Sequence, residues 1–129
     1  MISVLLIEDN PDNADLVCAY LDGVFDIEVV TNGPDAISYL ESNVDQLPRV
    51  LLLDISLPGM DGTELLRLLR RDNRFEALPA IALTAHAMKD DKNRLLAIGF
   101  DDYISKPITD DQLLIDAINK QSGGRILED

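Results

Sequence analysis

Tryptophan is absent from these 129 residues, and cysteine and histidine occur once each. A lone Cys cannot close an intrachain disulfide, which excludes the disulfide-stapled class of small secreted domains. Basic residues are scarce too: 11 Lys and Arg face 24 Asp and Glu, a formal charge of −13. Binding to nucleic acid or to an anionic membrane needs Lys and Arg at the phosphates, so neither is expected as a direct partner. No apolar run approaches the roughly 18 residues that span a bilayer. The N-terminal stretch MISVLLIEDN lacks a basic leader and ends in acid, unlike a signal peptide. A reduced, cytoplasmic setting is expected. What is present is 47% apolar and 27% charged, enough for a packed core and too apolar for wholesale disorder. The length fits one domain.

Three apolar runs, Val4-Leu5-Leu6-Ile7, Val50-Leu51-Leu52-Leu53 and Ala80-Ile81-Ala82-Leu83, show no period-2 alternation. That pattern suits parallel strands covered on both faces. Ile27-Glu28-Val29-Val30 is more mixed and suits an edge strand, while Asp102-Tyr103-Ile104-Ser105 carries the weakest strand signal. Helical spacing fills the intervals. Ala14, Val17, Cys18 and Leu21 form one stripe, with Pro11 and Asp12 at its start. Ala36, Ile37 and Leu40 form a second after the turn residues Asn32-Gly33-Pro34, and Leu65, Leu66, Leu68 and Leu69 a third after Gly59-Met60-Asp61-Gly62. A fourth helix is predicted from Lys89 to Ile98, stopping at Gly99. A fifth begins near Thr109 and Asp110 and carries Leu113, Leu114, Ala117 and Ile118 to about Lys120, and residues 121–129 read as a frayed tail. Strict β/α alternation implies an α/β fold: three layers, a doubly wound parallel sheet of five strands with helices on both faces.

Acid collects where these strands end. Glu8-Asp9 follows the first, Asp54 the third; Thr84 closes the fourth and Lys106-Pro107 follows the fifth. An open parallel sheet binds ligands outside the carboxyl ends of its strands, at the topological switch point. Polar strand-to-helix loops and Asp helix caps explain any one of these residues, but explain the set poorly. Glu8, Asp9 and Asp54 would crowd like charges unless a cation sat among them. Mg²⁺ (or Mn²⁺), held by one or two carboxylates plus a phosphate, suits such oxygen ligands. An ionised Asp can act as nucleophile and form an aspartyl phosphate, whose oxygens the metal, the Lys106 ammonium and the Thr84 hydroxyl would then meet.

Four segments, Ile7-Glu8-Asp9-Asn10, Leu53-Asp54-Ile55-Ser56-Leu57-Pro58-Gly59-Met60-Asp61-Gly62, Leu83-Thr84-Ala85 and Tyr103-Ile104-Ser105-Lys106-Pro107, stand in an order and spacing that resembles the receiver domain of bacterial two-component response regulators. The resemblance covers residue 1 to about 120 and implies a flavodoxin-like (βα)5 sheet of strand order 2-1-3-4-5. It implies Asp54 as phosphoacceptor, and Glu8, Asp9, Asp54 and the Ser56 backbone carbonyl as metal ligands. Thr84 and Lys106 would hold the phosphoryl group, with Thr84 and Tyr103 forming the switch. It also implies a cis peptide before Pro107, and a sensor histidine kinase or histidine phosphotransfer protein as donor. The downstream protein target would bind through helix 4, strand 5 and helix 5. The stretch Glu8-Asp9-Asn10-Pro11-Asp12-Asn13 is similar to receivers that serve hybrid-kinase phosphorelays. The implied protein is a phosphoacceptor that assists its own phosphorylation and dephosphorylation, not an enzyme acting on other substrates.

Plainer readings stand beside some of these. Cys18 is expected as a small core hydrophobe, Asp61 as an N-cap rather than a ligand, and Tyr103 is otherwise a half-buried aromatic. His86 reads as a loop residue at the site's edge; it and Ser56 are candidates for tuning phosphoryl lifetime. A phosphatase using an Asp-x-Asp pair would need a second carboxylate where Ser56 stands, and a flavin or nucleotide site would want a phosphate loop where Glu8-Asp9-Asn10-Pro11-Asp12 would repel one. A degenerate receiver acting only as an interaction module usually lacks one of the two acids, the Asp, the Thr or the Lys; all five are present. The chain is expected to be a stand-alone receiver that signals by protein contact, the alternative being a piece of a larger regulator or hybrid kinase.

Overall fold

Apolar runs without alternation need cover on both faces, and the chain provides it. The computed structural model describes residues 1–85 and 89–126, with side chains for 1–85 and 91–122. Strands β1 (Ser3–Ile7), β2 (Asp26–Val30), β3 (Val50–Asp54), β4 (Ala80–Thr84) and β5 (Asp102–Ser105) form one parallel sheet in the order β2-β1-β3-β4-β5. Between and after them run α1 (Pro11–Leu21), α2 (Gly33–Ser42), α3 (Gly62–Arg70), α4 (Lys89–Ile98) and α5 (Asp111–Ile126). This is the flavodoxin-like arrangement.

Alternate strand residues divide the interior into two cores. Leu5, Ile7, Leu51, Leu53, Ala80 and Ala82 meet Ala36 and Leu40 of α2, Leu65, Leu66 and Leu69 of α3, and Leu95 of α4. Val4, Leu6, Val50, Leu52, Ile81 and Leu83 meet Ala14, Val17 and Leu21 of α1 and Leu114 and Ile118 of α5. β3 and β4 are buried at every position, whereas β2, at the sheet edge, has only exposed and half-buried residues.

Several boundaries differ from the sequence reading. α1 begins at Pro11 with Asp12 in its first turn, as expected; its cap, not assigned from the sequence, is Asn10, which accepts the N–H groups of Asp12 and Asn13 at 2.9 and 3.2 Å. Gly33 and Pro34 lie inside α2 behind the Asn32 cap, consistent with proline's preference for the first turn. A short 3₁₀ turn over Val44–Gln46 has no periodic signal. Leu68 and Leu113 point to solvent, and Cys18 is half-buried at the margin of the α1 stripe rather than in the core. α5 continues to Ile126, past Lys120, and Ser122 is still buried, so the helix packs against protein at least that far. Residues 127–129 of the expected tail lie outside the described residues.

Candidate functional site

Parallel pairing brings the candidate residues to one rim. Ile7 pairs with Leu53, Asp54 with Leu83, and Thr84 with Ser105. The ladder continues past the strand ends: Ile55 N–H donates to Leu83 O at 3.1 Å and Lys106 N–H to Thr84 O at 2.8 Å. The chain winds away from the sheet in opposite directions at β1 and β3, and between their ends lies the crevice that such sheets use for ligands.

Carboxylate oxygens of Glu8, Asp9 and Asp54 lie within 4.8 Å of one another. Glu8 and Asp54 are buried and Asp9 is exposed at the entrance. The Lys106 ammonium lies 2.9 Å from Glu8 Oε1 and 3.2 Å from Asp54 Oδ2, reaching inward across the crevice. The Lys106–Pro107 peptide is cis. Asp54 Oδ1 accepts the Ser56 N–H at 3.0 Å, and Glu8 Oε2 accepts the Asn10 N–H at 3.3 Å. Burial, with Asp54 beside it, pushes the Glu8 carboxyl up to about 7, Lys106 pulling the other way. Burial draws the Lys106 ammonium down, but Glu8 and Asp54 outweigh it and hold it above the ordinary lysine value. Two crowded acids against one ammonium leave negative charge in excess. Oxygen donors of this kind and spacing fit a hard divalent cation, with Glu8, Asp9 and Asp54 as the residues that would hold it.

The loop after β3 has its own supports. Gly59 takes φ +78, a left-handed conformation that glycine adopts at no steric cost. Asp61 caps α3, accepting the Thr63 hydroxyl at 2.6 Å and the Glu64 N–H at 2.9 Å. Those two bonds hold its carboxyl below the usual range, so it is a cap and lies outside the acid cluster. Gly62, named from the sequence only as part of a motif, has a packing role. Its N–H donates to Ile55 O at 2.9 Å, and a Cβ there would collide with the Asp54 carbonyl and stand 2.9 Å from Ile55 Cα. A glycine directly behind a helix cap was the available signal.

Thr84 is buried at the end of β4, one residue beyond Asp54's partner, and Ser56 is exposed beside Asp54. Tyr103 is half-buried on β5, packed against the core under α2, α3 and α4. It also lines an open groove of about 540 Å³ with Lys92 of α4 and Leu113 of α5. His86 lies outside the described residues.

The response regulator receiver domain model matches residues 4–119. The chain belongs to that family. This receiver domain is thus a domain of two-component signalling, and its acid pocket is of the kind that could bind a metal. It is 39% identical over 109 residues to an uncharacterized 14.6 kDa protein of Leptolyngbya boryana, covering 83% of this chain and 80% of that one. It is 37% identical to response regulator Rre1 of Synechocystis sp., over 87% of this chain and 48% of Rre1. With sensor protein GacS of Pseudomonas syringae pv. syringae it shares 39% identity over 85% of this chain and 12% of GacS. The receiver thus spans most of the first relative, about half of the second and a small part of the third. Among solved structures, the receiver domain of sensor histidine kinase PA1611 from Pseudomonas aeruginosa PAO1 superposes with TM-score 0.80 at 31% identity, over 95% of this chain and 98% of that one. That structure has a magnesium ion coordinated in its active site cleft. The receiver domain of a LuxO repressor protein from Vibrio parahaemolyticus gives TM-score 0.86 at 31% identity, over 98% and 94%. Among the described residues no helix is long and apolar enough to cross a membrane.

Proposed function

We propose that this receiver accepts a phosphoryl group on Asp54 from a phosphohistidine of a sensor kinase or a histidine phosphotransfer protein. The observation that carries the reading is the Asp54 carboxylate, buried, 3.2 Å from the Lys106 ammonium and within 4.8 Å of two further acids. An Asp54 oxygen forms the new P–O bond as the donor's P–N bond breaks, and the released imidazole nitrogen takes up a proton from solvent. A bound Mg²⁺ would supply charge to the equatorial phosphoryl oxygens. The Ser56 N–H aims one carboxylate oxygen, Lys106 moves its charge from the acids to the phosphoryl group, and the Thr84 hydroxyl supplies a further donor.

Signalling would follow from Thr84 and Tyr103. Drawing the Thr84 side chain toward the phosphoryl group frees space at the end of β4, Tyr103 turns inward, and the face made by α4, β5 and α5 changes shape for a protein target. Phosphate biases this equilibrium only by its differential affinity for the two states. The 14.6 kDa relative, largely spanned by this chain, favours a receiver acting as a separate protein. The GacS match favours one within a larger kinase, and the same site serves either. The test is intact-mass measurement after incubation with acetyl phosphate and Mg²⁺. The wild type is expected to gain one phosphoryl group and Asp54→Asn none, because an amide cannot form the acyl phosphate. Equal yields in the two proteins would remove Asp54 from the role.

A further inference from the structure

Lys106 serves this site only if its backbone is fixed, and two hydrogen bonds from different elements bracket it. Upstream, its own N–H is held by Thr84 O at 2.8 Å. Downstream, the carbonyl of Ile108 accepts the phenol of Tyr20 at 2.9 Å. Tyr20 is the penultimate residue of α1, half-buried against the core that α1 and α5 share, and 88 positions away in sequence. Between that bond and the acids the packing is not continuous: a cavity of about 40 Å³ lies under the turn, lined by Leu16 and Val17 of α1, Leu83, Glu8 and the Lys106-Pro107-Ile108 segment. Ile108 anchors the far end of the segment in the core, and the Tyr20 hydroxyl adds a directional tie from α1 beside the cavity.

We infer that Tyr20 is a positioning residue for phosphoryl transfer: its hydroxyl locates the Lys106-Pro107-Ile108 segment, and through it the Lys106 ammonium 2.9 Å from Glu8 and 3.2 Å from Asp54. The inference rests on the reading of Asp54 as phosphoacceptor. The bland alternative is that the bond only ties α1 to the start of α5 and contributes to stability. The two differ in their dependence on Lys106. A hydrogen bond that aims a charged group acts through that group, and displacement of a reacting partner by a fraction of an ångström is costly.

The test is a double-mutant cycle on the full chain, with phosphorylation by acetyl phosphate and Mg²⁺ followed by intact mass. Tyr20→Phe keeps the ring and removes only the hydroxyl. Losing one such bond is expected to slow phosphorylation on the order of threefold to tenfold, and to cause no further slowing in a Lys106→Ala background. In parallel, NMR of ¹³C-lysine-labelled protein reads the Lys106 side chain directly. Its εCH₂ signal is expected to move toward the exposed lysines in Tyr20→Phe while backbone shifts of β1 and β3 hold still. A wild-type rate in Tyr20→Phe, or equal slowing with and without Lys106, overturns the inference and leaves Asp54 as phosphoacceptor intact. If the wild type takes no phosphate at Asp54, the underlying reading fails first, and an unmoved Lys106 signal then overturns the positioning as well.

Discussion

Glu8 gives the metal-free protein an unusual dependence on pH. Its carboxyl ionises near 4.5 when exposed and at about 7 in the folded chain, chiefly because it is buried and has Asp54 beside it. A carboxyl raised in this way binds more protons in the folded than in the unfolded state between those two values. Its contribution is therefore fully present below about pH 4.5 and is lost as pH climbs through about 7. The interval, at about 1.4 kcal/mol per pH unit, sets an upper bound of about 3 kcal/mol, or about 10 °C in thermal midpoint for a chain of this size. The assay is thermal unfolding in a chelator from about pH 5 to about pH 8, comparing wild type with Glu8→Gln, which keeps the shape but cannot ionise. The midpoint of the wild type is expected to fall across the window and that of the variant to stay nearly flat. Subtracting the variant removes the single His and the general acidity of the chain. Saturating Mg²⁺ is expected to oppose the fall, since a cation favours the ionised carboxyl. Parallel curves for the two proteins would refute the assignment of the shift to Glu8.

Further outcomes follow from the same geometry. Asp9→Asn removes an exposed carboxylate from the cluster, so calorimetry should show Mg²⁺ binding sharply weakened while the metal-free midpoint stays equal or rises, like-charge repulsion being relieved. Gly62→Ala forces a Cβ against the Asp54 carbonyl and Ile55; such overpacking costs about 1–3 kcal/mol, and an unchanged midpoint would contradict the packing. Thr84→Ala should still accept phosphate, more slowly, but transmit little of the roughly 1–3 kcal/mol of coupling typical of such switches. NMR with beryllofluoride checks this: α4 and β5 shifts that respond as fully as in the wild type would exclude Thr84 as the link.

The parts of this molecule legible in the sequence were those written in local pattern. Val50–Leu53 and Ala80–Leu83 are buried on both faces because the sheet is covered twice, and their uninterrupted apolar character says so. β2 is mixed because it is an edge. The acids at the strand ends were legible for a related reason: topology carries every strand's carboxyl end to one rim, so position along the chain stands in for position in space. That Leu68 and Leu113 face solvent is not legible, because a run of leucines does not reveal which member faces out. The Tyr20 bond to Ile108 and the Gly62 contact under Asp54 join groups far apart in sequence or depend on backbone proximity. Neither leaves a periodic trace.

Asp54 is proposed to carry the phosphoryl group, and the chemistry of an acyl phosphate allows this to be tested at the atom. Borohydride reduces an acyl phosphate to the alcohol, turning a phosphorylated aspartate into homoserine, which tandem mass spectrometry locates in the chain. After treatment with acetyl phosphate and Mg²⁺ followed by borohydride, homoserine is predicted at position 54 and at none of Glu8, Asp9 or Asp61, which would show their own reduction products. A reduction product at one of those acids with residue 54 unchanged, or a stable phosphate on His86 or Ser56, would contradict the account.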